Sequence, residues 1–325
     1  MLVLKKILHK PTRYPYFAQI DITNVCNLQC RMCPIHYLGI EKTHIDYEIF
    51  KRIVDNLGEI EEVALTGLGE PFTHPRIIDA IRYCKKRGLV VKVTSNGLLL
   101  RNDSVIKELI VSGLDAITFS VDSIQSHEKD SIAHRDATVL DNIERLIKLK
   151  KELRSETPRI NIQTVLFKNR ENDIYDVIKW SAVRPIHRVN VLRMHLYFDI
   201  DEKRPTREEE KRIFREFAKL RKKYNVRIDC IQDQFFTGIM GWVYKYFKYF
   251  LRLDSCCIRL LDYPLISQKG EMLPCCVLPE CSFGNVLEED IKRIWHGKKI
   301  AAFRKTYNTV ERCSKCDCWR IKQVI

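Results

Sequence analysis

The 325-residue chain contains no run approaching the roughly 20 apolar residues of a membrane-crossing helix, so a helical membrane span is not expected. Its opening Met-Leu-Val-Leu-Lys-Lys-Ile-Leu is too short an apolar run, and charged too early, for a secretory signal. No solenoid-type repeat and no low-complexity tract is present, which excludes repeat arrays and biased, unfolded segments. With no signal, the 13 cysteines do not read as a disulfide framework. They read as metal-binding thiols in a reducing cytoplasm. Disulfides stay compatible with a hyperthermophilic source, which the Lys, Glu and Arg content would also suit.

What is present is enough for a sizeable core: 45% of the residues are hydrophobic, consistent with one large domain and a smaller one. The formal net charge is +14. Such an excess suits an acidic peptide, nucleic acid, an anionic lipid surface or an acidic electron donor, or is simply a solvated lysine surface.

Between residues 17 and 193, apolar runs alternate with helical patterns, the signature of parallel βα units. Strands are expected at Ala18–Ile22, Glu62–Leu65, Val90–Thr94, Ala116–Ser120, Arg159–Leu166 and Arg188–Arg193. Helices are expected at Tyr47–Leu57 with Asp46 as N-cap, Arg76–Lys86 stopped by Gly88, Ser104–Ser112 stopped by Gly113, Ala137–Leu153 and Asp173–Trp180. The fold class is therefore α/β: a partial (β/α)6 TIM-type barrel with a small cysteine-rich C-terminal extension. Active sites of parallel barrels lie at the carboxyl ends of the strands. The expected division is 1–200 for the barrel, 201–254 for a helical linker or bridge, and 255–325 for the extension. In the linker Thr206-Arg-Glu-Glu209 reads as a capping box. Ile213, Phe217, Leu220 and Tyr224 form an apolar stripe, and a strand is expected at Val226–Cys230.

Just after the first strand stands Asp21-Ile-Thr-Asn-Val-Cys26-Asn-Leu-Gln-Cys30-Arg-Met-Cys33-Pro34. Soft thiolates at C-x₃-C-x₂-C spacing favour an iron–sulfur centre or zinc. Three thiolates fill three corners of a 4Fe–4S cube and leave one iron open. This wording resembles the radical S-adenosylmethionine (radical SAM) superfamily, with Met32 where an aromatic residue is common. The resemblance implies that Cys26, Cys30 and Cys33 hold a 4Fe–4S cluster whose open iron binds SAM. An electron from a low-potential donor, a ferredoxin or flavodoxin, then cleaves SAM to a 5′-deoxyadenosyl radical.

Companion motifs follow the resemblance. Leu65-Thr-Gly67-Leu68-Gly69-Glu70-Pro71 is similar to the family's GGE-like motif, whose glycine lets the methionine moiety approach and whose carboxylate meets its ammonium group. Ser95-Asn96-Gly97 is similar to the TNG motif near the ribose. In Phe119-Ser120-Val121-Asp122-Ser123, Ser120 matches a residue that meets the SAM carboxylate or ribose. Asp122 either shares that role or accepts from neighbouring backbone. Arg135 matches a short arginine motif that pairs with the SAM carboxylate, a surface salt bridge being the alternative. Phe167-Lys168-Asn169 resembles a Lys-x-Asn step, and backbone around Leu192 is expected beside the adenine.

Cys257-x₁₂-Gly270-x₄-Cys275, Gly284-Asn285-Val286, Ile294-Trp295 and Cys313-x₂-Cys316 resemble the SPASM/twitch extension of the same enzymes. A full SPASM tail continues with further cysteines, whereas here only Cys318 follows. The resemblance thus implies a single second, auxiliary 4Fe–4S cluster on Cys257, Cys275, Cys313 and Cys316. Cys256, Cys276, Cys281 and Cys318 are spare candidates, and a zinc ribbon is the competing reading. A 4Fe–4S core of charge about +2 with three thiolates leaves about −1, and with four about −2. Cys84 and Cys230 read as small buried hydrophobes.

Residues 239–253 combine aromatic residues with Lys245, Lys248 and Arg252 at helical spacing. This fits a membrane-surface helix, a wall over the substrate site or a helix packed between the two parts. No acid or base stands out, although His195, Asp199 and Asp233 fall near the right region. The expected substrate is first a peptide, then a small alcohol or sugar, then a lipid. No separate N-terminal peptide-binding domain is expected. The alternative is a zinc or iron–sulfur nucleic-acid binder that lacks SAM chemistry.

Overall fold

A computed structural model describes residues 14–125, 136–194, 198, 203–230, 257 and 259–316. Arg135, His195, Asp199, Asp233, Cys256, Cys318 and the segment 239–253 lie outside the described residues. Strands β1 (Phe17–Ile20), β2 (Glu62–Leu65), β3 (Val90–Ser95), β4 (Ala116–Ser120), β5 (Arg159–Leu166), β6 (Ile186–Arg193) and β7 (Ile228–Cys230) are parallel, each beside the next. The strand order never reverses, so every crossover steps the same way. That is the winding of an open barrel, with helices outside and a concave inner face. At the other edge, β8 (Leu265–Ile266) runs parallel to β1 and β9 (Met272–Leu273) returns antiparallel to β8. The C-terminal segment therefore shares a sheet with the barrel.

The crossover helices are α1 (Tyr47–Asp55), α2 (Ile77–Lys86), α3 (Asp103–Val111), α4 (Asp136–Glu152) and α5 (Glu171–Ala182). Asp46 caps α1 by accepting from the Glu48 and Ile49 amides, and Asn102 caps α3. Gly88 and Gly113 follow α2 and α3 with φ of 79° and 83°, where a side chain would be strained. Phe50, Ile53, Ile81, Leu109, Ile143 and Val177 turn inward to Val63, Val91, Ile117 and Ile162 on the outer face of the sheet. This outer layer is the core.

The alternation runs past residue 200. Helix α6 (Arg207–Tyr224) begins with the expected capping box between Thr206 and Glu209, buries Ile213, Phe217 and Leu220, and leads into β7. Arg193 at the end of β6 pairs with Glu210 of α6 through two contacts, Nε to Oε1 at 2.7 Å and Nη2 to Oε2. The tail adds α7 (Arg259–Asp262), α8 (Ile291–Trp295), α9 (Lys298–Thr306) and α10 (Glu311–Lys315). No helix among the described residues is long and apolar enough to cross a membrane.

Candidate active site

The inner face of the sheet is polar at alternate positions. Gln19, Thr94, Ser120, Gln163 and Leu192 from their strands, with Thr66 just past the end of β2, line one cavity of about 490 Å³. Deeper in the barrel, Glu62 pairs with Lys92, Asn161 lies 3.4 Å from the Thr118 hydroxyl, and Arg188 reaches Asp229. Strand period dictates this arrangement: residues i and i+2 share a face, and the opposite face is spent on the core.

Both groups of cysteines line the same cavity: Cys26, Cys30 and Cys33 from the loop after β1, and Cys257, Cys275, Cys276, Cys313 and Cys316 from the tail. Cys281 packs near the tail cysteines without lining the cavity. Cys84 and Cys230 are buried in the core. None of the eleven described cysteines is in a disulfide. Burial pushes the Cys33 thiol up to about 11, with Cys30, Cys26 and Cys276 adding to the effect. Burial also raises Cys257, Cys275 and Cys276.

Three contacts fix the first cysteine loop. The Gly69 amide donates to Thr23 O at 3.1 Å, and the Glu70 amide to Val25 O at 2.9 Å. A Cβ on Gly69 would lie 2.4 Å from Val25 O and 2.6 Å from Thr23 O, so glycine is required for the β2 turn to meet the strand that leads into Cys26. Gly67 plays the same part against Asp21, whose Oδ1 a Cβ would strike. Asn96 Nδ2 donates to Asn27 Oδ1 at 2.8 Å, tying the loop to the end of β3. Met32, in place of the common aromatic residue, packs against Phe167 and Met194.

Glu70 is 2% exposed and both its oxygens are engaged. Oε1 accepts from the Ser95 hydroxyl at 2.8 Å and the Phe72 amide at 3.1 Å, and Oε2 from the Asn96 amide at 2.6 Å. The motif thus braces the cavity wall, while Gly69, Glu70 and Asn96 still line it. Ser120 and Leu192 also line it. Asp122 does not: its Oδ1 accepts from the Val165 amide at 2.9 Å, the backbone alternative open in the sequence. Asp21 is shielded from solvent at Oδ1, which has no hydrogen-bond partner, and burial raises its carboxyl from 3.8 to about 7.

In the tail, Gly270 turns the β8–β9 hairpin with φ of 82°, and the Val286 amide returns to Gly270 O at 2.8 Å. Trp295 is fully buried, with the Arg304 guanidinium 4.6 Å over its ring and Arg304 Nε donating to Leu260 O. Arg312 Nη1 donates to Val277 O, joining α10 to the segment after Cys275 and Cys276. Sequence reasoning missed Arg259 and Gln19. Arg259 Nη2 donates to Gln19 Oε1 at 2.6 Å, and Gln19 Nε2 to Thr66 O at 2.7 Å. A polar residue at an inward strand position, and a cation two residues after Cys257, were the available signals.

The donor set fits iron–sulfur clusters better than a single ion. Zinc with bonds of about 2.3 Å would draw its sulfurs to within about 4 Å of one another. Among the described residues no three His, Cys, Asp or Glu side chains are grouped closely enough to hold one ion. Eight thiols spread over the walls of one cavity suit larger clusters.

The Radical SAM superfamily model matches residues 20–181. The chain belongs to the radical SAM superfamily. A SPASM iron–sulfur cluster-binding domain matches residues 256–317. The cofactors are accordingly SAM, its 4Fe–4S cluster and auxiliary iron–sulfur, which overturns the zinc-only alternative. The chain is 31% identical over 169 residues to a tungsten-containing aldehyde ferredoxin oxidoreductase cofactor-modifying protein of Pyrococcus furiosus, covering 50% of this chain and 47% of that one. It therefore spans about half the length of that relative. It is 21% identical over 329 residues to the AdoMet-dependent heme synthase of Methanosarcina barkeri, covering 96% and 90%. Streptococcus suis SuiB shares the fold. Solved with S-adenosylmethionine it gives a TM-score of 0.72 at 18% identity, covering 98% of this chain and 74% of that one. Solved with its precursor peptide SuiA it gives 0.71 at 17% identity, covering 93% and 69%.

Proposed function

We propose that the chain reductively cleaves SAM at a cluster on Cys26, Cys30 and Cys33 and removes hydrogen from a peptide held in the cavity between the two cysteine groups. The observation that carries this reading is that both groups line one cavity. When bound, the first cluster and SAM supply the carbon radical, and the tail cluster supplies a second redox centre. Cys257, Cys275, Cys313 and Cys316 would hold the tail cluster, with Cys276 as a fifth thiol on the wall. Gly69 and Asn96 keep the first loop in place. Ser120 and the backbone at Leu192, which line the cavity, would orient SAM, and a ferredoxin or flavodoxin suits the basic chain as electron donor.

The peptide is favoured because SuiB, which shares the fold, has been solved with a precursor peptide. A small hydroxylated substrate is the second reading, favoured by the polar strand positions Thr94, Ser120 and Gln163.

The test is anaerobic reconstitution followed by iron and sulfide analysis, then dithionite and SAM. About 8 Fe per chain and release of 5′-deoxyadenosine are expected. Cys26→Ala should abolish release and keep about 4 Fe. Replacing Cys257, Cys275, Cys313 and Cys316 together should also leave about 4 Fe, but keep uncoupled SAM cleavage. An unchanged iron count in the quadruple variant would refute the tail assignment.

A further inference from the structure

We propose that Arg259 is a built-in countercharge for the tail cluster and sets its reduction potential upward, with Gln19 fixing the guanidinium in place. This rests on the reading that the tail holds a cluster. The side chain is 7% exposed and lies on the cavity wall with Cys257, Cys275 and Cys276. It sits two residues after Cys257, at the start of α7, where the Leu260 amide donates back to Cys257 O at 3.1 Å. Gln19 of β1 spans from Arg259 Nη2 to Thr66 O, so the cation is tied through Gln19 to β1 and to the turn after β2.

A guanidinium stays charged at any working pH. Burying it is costly unless negative charge lies nearby. Four thiolates around a 4Fe–4S core carry net negative charge, and reduction by one electron deepens it. A fixed cation close by stabilises the reduced form more than the oxidised form, because attraction scales with the charge it faces. The potential therefore rises. The placement favours the tail: Arg259 stands two residues after Cys257 at the start of α7, whereas Cys26, Cys30 and Cys33 stand on the loop after β1.

The experiment is a mediator-based redox titration of the anaerobically reconstituted full chain, read by electron paramagnetic resonance. The signal that SAM perturbs identifies the Cys26, Cys30 and Cys33 site; the other signal is the tail cluster. Arg259→Met should lower the tail midpoint potential and move the SAM-sensitive one less. Arg259→Lys, which keeps the charge, should recover at least half of the shift. Gln19→Met, which removes the Gln19 contact but keeps the charge, should give a smaller shift in the same direction and is decisive if Arg259→Met fails to hold its cluster. Arg304→Met serves as the control for general loosening of the tail, since Arg304 binds Trp295 O and Leu260 O but does not itself line the cavity. Unchanged potentials with about 8 Fe retained would overturn the proposal and leave the two-cluster reading intact. An equal downward shift in Arg304→Met would also overturn it. About 4 Fe in the unmodified chain would instead refute the two-cluster reading itself.

Discussion

Glu70→Ala separates bracing of the site from contact with SAM. The carboxylate is nearly inaccessible and accepts three hydrogen bonds, from Ser95, Phe72 and Asn96. Truncation leaves these donors facing a void. A buried donor without an acceptor costs about 1–3 kcal/mol. The Ser95 hydroxyl can rotate toward another acceptor, and the Phe72 amide lies beside a partly exposed side chain, so the Asn96 amide dominates. A loss of about 2–5 kcal/mol in folding stability follows. Glu70→Gln keeps one oxygen but turns an NH₂ group toward one of the donors, and should lose about 1–3 kcal/mol. Urea unfolding followed by circular dichroism reads both, with equilibrium dialysis of SAM alongside. Glu48→Ala is the reference, because the Glu48–Lys51 pair is solvent-exposed on the carboxylate side and surface changes stay within about 0.5 kcal/mol. If Glu70→Ala were as stable as Glu48→Ala while SAM affinity collapsed, the bracing argument would fail and Glu70 would be a ligand-contact residue first.

Gly69→Ala places a methyl group against two backbone carbonyls that cannot rotate away. It should cost about 1–3 kcal/mol by overpacking and suppress SAM cleavage, measured as 5′-deoxyadenosine, while the tail keeps its iron. Asp21 titrates at 3.8 unfolded and about 7 folded, because burial disfavours its charge. Between those values the unfolded chain releases the proton and the folded chain keeps it, so this carboxyl makes stability fall as pH rises through that window. Asp21→Asn should flatten that fall in urea midpoints taken across the window; an unchanged slope would count against the burial argument. Glu210→Gln weakens a buried pair with Arg193, whose side chains are 3% and 11% exposed. Removing one partner's charge should cost up to about 3–5 kcal/mol in thermal or urea unfolding.

Local signals were legible because local chemistry determines them. Asp46, the Thr206–Glu209 box and the glycines at 88 and 113 each report one helix end, and the structure shows those ends within a few residues. Strand β1 ends at Ile20 rather than Ile22, because Thr23 leaves the sheet to bridge His44. The cysteine spacings named the chemistry, and the family model matches the same stretch. What stayed hidden depends on distant partners. The pairing of β8 with β1 involves strands too short to show alternation. Arg259 and Gln19 are 240 residues apart. The motif glycines were read as room for SAM, yet the space beside Gly69 is taken by the backbone of Thr23 and Val25. A motif records that a close approach occurs, not which atoms make it.

The shared sheet explains why the two cysteine groups meet at all. Because β8 pairs with β1, the tail is anchored to the strand that leads into Cys26, and a hydrogen bond donated by Asn56 Nδ2 to Val286 O at 2.8 Å adds a second tie from the other side of that unit. The tail then supplies an apolar wall of Leu260, Pro274, Val277, Leu278 and Phe303 over a polar barrel floor. Reactive carbon radicals need water and stray hydrogen donors kept away, which an apolar wall provides. The floor can still grip a polar substrate through Thr94, Ser120 and Gln163. On this arrangement the tail encloses the first site as well as carrying a second cluster. Variants that keep all eight thiols but unseat α9, such as Arg304→Met, should therefore release 5′-deoxyadenosine uncoupled from substrate. Tight coupling in that variant would show that enclosure does not depend on the tail.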